Sequence, residues 1–114
     1  GDQVLKKLAG ILARTAGENE DVYAARWGGE EFMLLAVRDD AYGRMMEMTE
    51  DVRRQLESAV VHFDYWQIVV TASIGVSATT ESLNFKDLTE EADKCLYEAK
   101  GSGKNRVIGK YEER

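Results

Sequence analysis

Two adjacent glycines separate two apolar runs, residues 22–27 and 32–37, and this spacing constrains the fold more than any other feature. A Gly-Gly pair between strand-like segments predicts a tight hairpin turn, because such turns need positive φ angles that glycine adopts freely. A turn without side chains also lets a ligand approach the backbone. The turn and the two acids that follow it are Gly28, Gly29, Glu30 and Glu31. Since carboxylates bind hard divalent cations, the segment indicates either a nucleotide–metal site or a hairpin with a solvated acidic edge.

Length, charge and cysteine content exclude several classes of protein. A chain of 114 residues with 44% apolar side chains is one domain, or part of one, with enough material for a core. Its net charge of −6 and the lack of a basic stripe argue against general nucleic-acid binding. Neither a signal peptide nor an apolar run of ~20 residues is visible, so direct membrane contact is not expected. The single cysteine, Cys95, fits a reducing compartment and a cytoplasmic protein.

Hydrophobic periodicity predicts an α+β domain. Apolar residues at helical spacing indicate three helices, and β-branched and aromatic runs indicate the strands between them. The predicted order is a helix between Asp2 as N-cap and Gly17 as stop, strands 22–27 and 32–37, a helix over 41–59, one long or two shorter strands over 63–77, a helix from 85 to Gly101 or Gly103, and a strand over 106–108. Helices packed on a mainly antiparallel sheet are the arrangement expected from this order.

Four spaced motifs together resemble one known family. The segment Arg26-Trp27-Gly28-Gly29-Glu30-Glu31-Phe32 resembles the signature of the GGDEF family, the diguanylate cyclase domains, in its Glu-for-Asp form. The other three, in family order, are Gly1-Asp2, Val70-Thr71-Ala72-Ser73-Ile74-Gly75-Val76, and the run from Ala92 to Lys100 followed by Gly103-Lys104-Asn105. The resemblance implies that residues 1–114 are part of a GGDEF domain, with a ferredoxin-like or polymerase-palm fold truncated at its N-terminus.

The truncation has a structural consequence. The family's fold begins with a strand and helix that would precede Gly1, and that strand lies inside the sheet and brings a metal-binding Asp. A sheet without a central strand exposes unpaired edges. We therefore expect the chain either to pair with a second copy, by edge pairing or strand exchange, or to leave a gap that a partner fills. A monomer with a continuous sheet would contradict this expectation.

The resemblance also implies an activity and its residues. The family condenses two GTP molecules into cyclic di-GMP and pyrophosphate, with Mg²⁺, or Mn²⁺ in its place. Alternate strand residues point to opposite faces, so Glu30 and Glu31 reach one ion only if the turn distorts the pleat. By resemblance the roles are Glu30 as metal ligand and base, Glu31 as second metal ligand, Gly28 and Gly29 as the approach for ribose or base, Asp2 as acceptor from the guanine edge, and Lys100 and Lys104 as triphosphate contacts. From the residues alone, Asp2 could equally be an N-cap and the two lysines solvated charges at a helix C-terminus.

Three functions remain open at this point. The chain could belong to a cyclase active as an antiparallel pair of domains, to a catalytically silent nucleotide-binding module, or to a bare oligomerisation domain. In this family a sensor or receiver domain usually precedes the catalytic one. The intact signature favours the cyclase for the parent protein, whereas the truncation favours inactivity of the chain alone.

Other residues are given structural interpretations. Trp27, Trp66 and the tyrosines are interpreted as packing residues, His62 as non-catalytic and Cys95 as a buried thiol.

Product inhibition is not expected at the position where many family members carry an Arg-x-x-Asp site for cyclic di-GMP. Here that stretch is Glu18-Asn19-Glu20-Asp21, which lacks the arginine and adds one residue before Gly28. We predict no cyclic di-GMP binding there. Titration calorimetry tests this prediction, and tight binding that Asp21→Ala abolishes would contradict it.

Overall fold

The computed structural model describes residues 2–18, 22–28, 31–36, 40–63, 65–79 and 85–112, with the backbone alone at residues 2, 3, 24–28, 31, 63 and 112. Three helices and six strands follow the predicted order, with one additional hairpin before the fifth strand. In chain order they are α1 (Asp2–Glu18), β1 (Val22–Gly28), β2 (Glu31–Ala36), α2 (Ala41–Ser58), β3 (Val61–Phe63), β4 (Trp66–Ile68), β5 (Ile74–Thr79), α3 (Phe85–Gly101) and β6 (Val107–Glu112). The α+β class is confirmed.

The strands of the described ranges form three two-stranded sheets, β1–β2, β3–β4 and β5–β6. The first two pairs are antiparallel and the third is parallel, because α3 crosses over between β5 and β6. Two of the three described strand pairs are therefore antiparallel, as predicted, and the parallel β5–β6 pair is an addition to that arrangement. Within the described ranges no strand pairs with both β2 and β5.

The core lies where α1 and α2 pack together. Ile11 and Leu12 of α1 meet Val52 and Leu56 of α2, and all four are buried. Side chains from β2 and from the segment before β5 pack against this cluster, including Phe32, Leu34, Val70 and Ala72. Burial of a large aliphatic side chain contributes roughly 1.5–3 kcal/mol, so this helix pair is a main source of the domain's stability.

Helix α3 packs on β5 at very short range. A Cβ atom built on Gly75 would collide with the backbone of Ala92 and Leu96 on α3. The hydroxyl of Ser77 donates a hydrogen bond to the carbonyl of Leu88 at 2.6 Å, which joins the same two elements. Cys95 is buried on α3, as predicted, and burial raises the pKa of its thiol, with the charges of Glu91 and Glu98 adding to the effect. The absence of a side chain at Gly75 thus sets the position of α3 against β5.

The region from 60 to 69 differs from the prediction. One long strand or two shorter ones were expected over 63–77, but Val61–Phe63 and Trp66–Ile68 pair with each other as the antiparallel β3–β4 hairpin. Tyr65 and Trp66 at this turn are exposed, as are Tyr23 and Tyr97, so their interpretation as packing residues is wrong. Aromatic residues are enriched in strands whether their side chains are buried or exposed. Composition alone therefore could not distinguish a buried strand from an exposed hairpin.

Replacing Gly75 with alanine tests the close contact between α3 and β5. We expect the free energy of unfolding to fall by about 1–3 kcal/mol or more, because the added methyl group meets backbone atoms that cannot rotate away. Urea unfolding followed by circular dichroism measures it. The matched control is Gly10→Ala in α1, where a Cβ has open space, and which should stabilise the helix by roughly 0.5–1 kcal/mol. Equal stabilities of Gly75→Ala and the parent protein would rule out the close packing.

Candidate functional site

The hairpin that carries the signature is present. β1 and β2 pair in antiparallel register, with Arg26 opposite Phe32 and Gly28 opposite Glu31. Between these two pairs β2 advances by one residue while β1 advances by two. Trp27 is therefore the extra residue of a β-bulge. A bulge bends the strand, increases its twist and changes the direction of neighbouring side chains. The pleat is thus distorted next to the glycines, which is the condition that two consecutive carboxylates need to approach one ion.

The predicted site residues lie on three parts of the fold. Gly28 is the last residue of β1 and Glu31 the first of β2, whereas Asp2 is the first residue of α1. Lys100 lies in the last turn of α3, and Lys104 follows in the turn before β6. Gly29, Glu30 and the side chains of Asp2 and Glu31 lie outside the described residues.

One groove brings β2 together with the two lysines. Its volume is about 1180 Å³, and it is lined by residues of α1, β2, α2, β5 and α3, with Lys100 and Lys104 among them. Every described side chain of β2 from Phe32 to Ala36 contributes to its wall, as does the stretch 71–79 that contains β5. Within the described ranges β2 pairs with β1 alone and β5 with β6 alone. The groove therefore runs between two strands that each have one partner.

Lys100 and Lys104 are the cations of this groove. Both side chains are exposed, and in the described part of the chain neither forms an ion pair. Nearby lysines differ, since Lys110 and Lys94 both pair with Glu91. The structure thus brings the two predicted phosphate contacts to one groove and leaves both available to an anion.

The turn that carries Lys104 has an uncommon backbone. Gly103, Lys104 and Asn105 have φ angles of 131°, 61° and 45°. Positive φ is free for glycine and tolerated by asparagine, but for lysine it costs roughly 1–2 kcal/mol. The amide of Lys104 donates to the carbonyl of Ala99 at 2.9 Å, which closes the C-terminus of α3. The conformation of Lys104 is therefore one that its surroundings must hold.

Helix α2 supplies part of that support through Arg53. The guanidinium donates from Nη1 to Asn105 Oδ1 at 2.8 Å and contacts Glu57 at 3.1 Å with the same nitrogen. Its Nε donates to Glu50 at 2.8 Å, and Asn105 in turn donates from Nδ2 to Glu57. The hydrogen bond from Arg53 holds the pKa of the Glu50 carboxyl below its ordinary value, and the bond with Glu50 raises the pKa of Arg53.

Sequence reasoning missed Arg53. Its spacing from Glu50 and Glu57, three and four residues away on a predicted helix, indicates ion pairs along the surface of α2. That pattern says nothing of Asn105, which lies 52 residues further along the chain. The contact arises only when α2 and the turn after α3 meet in the folded domain.

The described side chains contain no group of three or more His, Cys, Asp or Glu residues that could hold a metal ion. Likewise, among the described helices none has the length and apolar character needed to cross a bilayer.

The fold and the groove define a palm-like α+β domain, and comparison with known sequences assigns it to a family. The sequence profile of the "Diguanylate cyclase, GGDEF domain" family matches residues 1–106. The chain belongs to the GGDEF family.

Named relatives agree with this assignment. Diguanylate cyclase A of Treponema denticola is 40% identical over 108 residues, which cover 94% of this chain and 28% of that protein. The response regulator PleD of Caulobacter vibrioides is 35% identical over 113 residues, covering 96% of this chain and 24% of that protein. The chain thus spans about a quarter of the length of these relatives.

A solved structure supports the fold. The coiled coil and GGDEF domain of DgcB from Caulobacter crescentus, crystallised with c-di-GMP, is similar with a TM-score of 0.80 at 27% identity. The match covers 96% of this chain and 57% of that one.

The lowered pKa of Glu50 predicts how stability depends on pH. Because the pKa is lower in the folded state, the Glu50–Arg53 pair stabilises the fold above the pKa of the unfolded state, and this contribution is lost as the pH falls through the folded value. We expect Glu50→Gln to lower stability at neutral pH by less than about 1 kcal/mol, since the pair is partly exposed, and the difference to vanish in acid. Urea unfolding between neutral and acidic pH measures it.

The control for this prediction is Glu47→Gln, which removes a carboxylate paired with Arg44 on the same helix and well exposed to solvent. A pH dependence that is equal in the Glu50 and Glu47 variants would contradict the assignment to Glu50.

Proposed function

We propose that the protein containing this chain is a diguanylate cyclase, which condenses two GTP molecules into cyclic di-GMP and two molecules of pyrophosphate in bacterial signal transduction. The observation that carries this proposal is the intact Gly-Gly-Glu-Glu-Phe hairpin at residues 28–32, whose second strand lines the same groove as two available lysines. Membership of the GGDEF family and similarity to named diguanylate cyclases support it.

The residues of the groove would bind and orient GTP. Lys100 and Lys104 carry the positive charge that a triphosphate requires, and both act as point charges without the bidentate geometry of arginine. The glycines at 28 and 29 would let the ribose or base approach the backbone, and Asp2 would accept hydrogen bonds from the guanine edge. Since the chain as a whole has a net charge of −6, phosphate binding here depends on local cations.

The donor set fits a hard divalent cation. Glu30 and Glu31 would hold Mg²⁺, or Mn²⁺ in its place, since both ions prefer carboxylate oxygens. The bulge at Trp27 supports this role because it bends and twists the hairpin directly opposite Glu31, beside the turn that carries Glu30. When bound, the metal neutralises charge on the phosphates and polarises the reacting oxygens.

Glu30 would also act as the base. Its carboxylate would accept the proton of the 3′-hydroxyl of one GTP as that oxygen forms a bond to the α-phosphorus of the other. The bond from that phosphorus to pyrophosphate breaks in the same transfer, so the remaining task of the protein is to hold the two nucleotides in line.

The reaction needs two nucleotides, which suggests a homodimer of domains that each hold one GTP. We also propose an upstream sensor or receiver domain, since the relative PleD is named a response regulator, and a cytoplasmic location where GTP is available.

A second candidate is a catalytically silent domain that binds a nucleotide or a second copy and regulates a partner. The open groove favours it for this chain alone, because β2 and β5 each have one described partner and can accept another strand.

A GTP turnover assay with Mg²⁺, on this chain and on the protein extended upstream, separates the two candidates. In the extended protein we expect cyclic di-GMP formation that Glu30→Gln lowers by about 10²-fold or more, because the amide cannot accept the proton. Glu47→Gln, which removes an exposed carboxylate on α2, should retain full activity. If the extended protein forms no cyclic di-GMP, the cyclase proposal fails and the silent module is favoured.

A further inference from the structure

We infer that Arg53 is a positioning residue for nucleotide binding: through Asn105 it holds the turn that presents Lys104 to the groove. Arg53 lies on α2, outside every motif of the family signature quoted above, and acts without touching the nucleotide. The inference rests on the proposed function, since it assumes that Lys104 contacts the triphosphate.

The turn that carries Lys104 is held by hydrogen bonds at both of its ends. Toward α3, the amides of Ser102 and Lys104 donate to Glu98 and Ala99, so the helix end defines the turn up to Lys104. Toward β6, the carbonyl of Arg106 accepts from the amide of Ile74 at 3.0 Å, where β5 begins. Between these two anchors lies Asn105, whose side chain forms hydrogen bonds with Arg53 and Glu57 of α2.

The side chains of Asn105, Arg53 and Glu57 all contact one another. Its amide oxygen accepts from Arg53, its amide nitrogen donates to Glu57, and Arg53 and Glu57 also contact each other. Three side chains that contact one another in this way allow one orientation of the Asn105 amide. Both polar ends of that amide are used, so a movement of the turn away from α2 would break both hydrogen bonds.

The Arg53 side chain is itself held firmly in place. Only 15% of the Arg53 side chain is exposed, and its Nε is fixed by Glu50 on the preceding turn of the helix. The adjacent residue Val52 and Leu56 one turn later belong to the buried core between α1 and α2. Arg53 therefore links the position of the core to the turn, and a shorter side chain at 53 would remove one of the two hydrogen bonds that hold the Asn105 amide and weaken the support of Lys104.

The charges exclude a simpler explanation in which Arg53 is itself a phosphate contact. It lies between two carboxylates, Glu50 and Glu57, and each accepts a hydrogen bond from its guanidinium. Because these carboxylates compensate its charge, Arg53 attracts an anionic ligand only weakly. Lys104, in the described part of the chain, has no ion pair.

The test is a comparison of GTP and GMP binding in the full-length protein. If Arg53 acts through Lys104, Arg53→Gln should weaken GTP binding by about three- to tenfold and affect GMP binding much less, because GMP keeps only the α-phosphate of the triphosphate that Lys104 would contact. In turnover the same variant should raise the KM for GTP more than it lowers kcat. A purely structural role would weaken both nucleotides equally, and that result would overturn the inference.

A matched control and a second variant accompany it. Arg54→Gln removes the neighbouring arginine, which is exposed and forms an ion pair with Glu50, and should bind both nucleotides like the parent. Asn105→Gly keeps the positive φ accessible and leaves the α2 ion pairs intact, yet removes the contact with Arg53. It should reproduce the GTP-specific loss even if Arg53→Gln folds poorly, and parent-like GTP binding by Asn105→Gly would overturn the inference.

A double-mutant cycle with Lys104→Ala separates this inference from the proposed function. If Lys104→Ala alone leaves the ratio of GTP to GMP affinity unchanged, the proposed role of Lys104 fails. If Lys104→Ala lowers GTP affinity and Arg53→Gln adds its full effect on top, the two residues act independently and the inference alone fails. The expected result is that the double variant binds GTP no more weakly than Lys104→Ala.

Discussion

The packing of α2 against α1 is the contact on which the rest of the domain depends. Val52 and Leu56 are almost completely buried in it, and the side chains of β2 and of the segment before β5 pack on the same cluster. Arg53 follows Val52 directly, so the helix that forms the core also presents a guanidinium to the turn after α3. A displacement of α2 would therefore change both the wall of the groove and the support of Lys104.

A second constraint places α3. Because Gly75 has no side chain, the backbone of α3 lies against β5, and the last turn of the helix brings Lys100 to the groove. The helix then ends in a turn with three successive positive φ angles, and Lys104 lies at the middle position. The two candidate phosphate contacts thus depend on different supports: Lys100 on the contact of α3 with β5, and Lys104 on side chains of α2. Loss of one support should leave the other cation in place.

Local patterns in the sequence predicted the parts of this architecture that depend on neighbouring residues. The glycine pair predicted the β1–β2 hairpin and helical spacing predicted α1, α2 and α3, because each of these reflects contacts within a short window. The β-bulge at Trp27, the parallel pairing of β5 with β6 and the contact from Arg53 to Asn105 could not be predicted in this way. Each depends on where distant segments meet, and the ion-pair spacing around Arg53 is equally compatible with an isolated helix surface.

The distribution of charge explains how an acidic domain can offer a site to an anion. Most described cations of α2 and α3 are paired within the fold: Arg44 with Glu47, Arg53 with Glu50 and Glu57, Arg54 with Glu50, and Lys94 with Glu91. These pairs stabilise helices and loops but contribute little field at the groove, since each cation is compensated locally. Lys100 and Lys104 differ in having no such compensation within the described ranges, and they lie beside the strand that follows Glu30. A nucleotide with a bound divalent cation could satisfy both sides of this arrangement at once, because its phosphates meet the lysines while the ion meets the carboxylates of the hairpin.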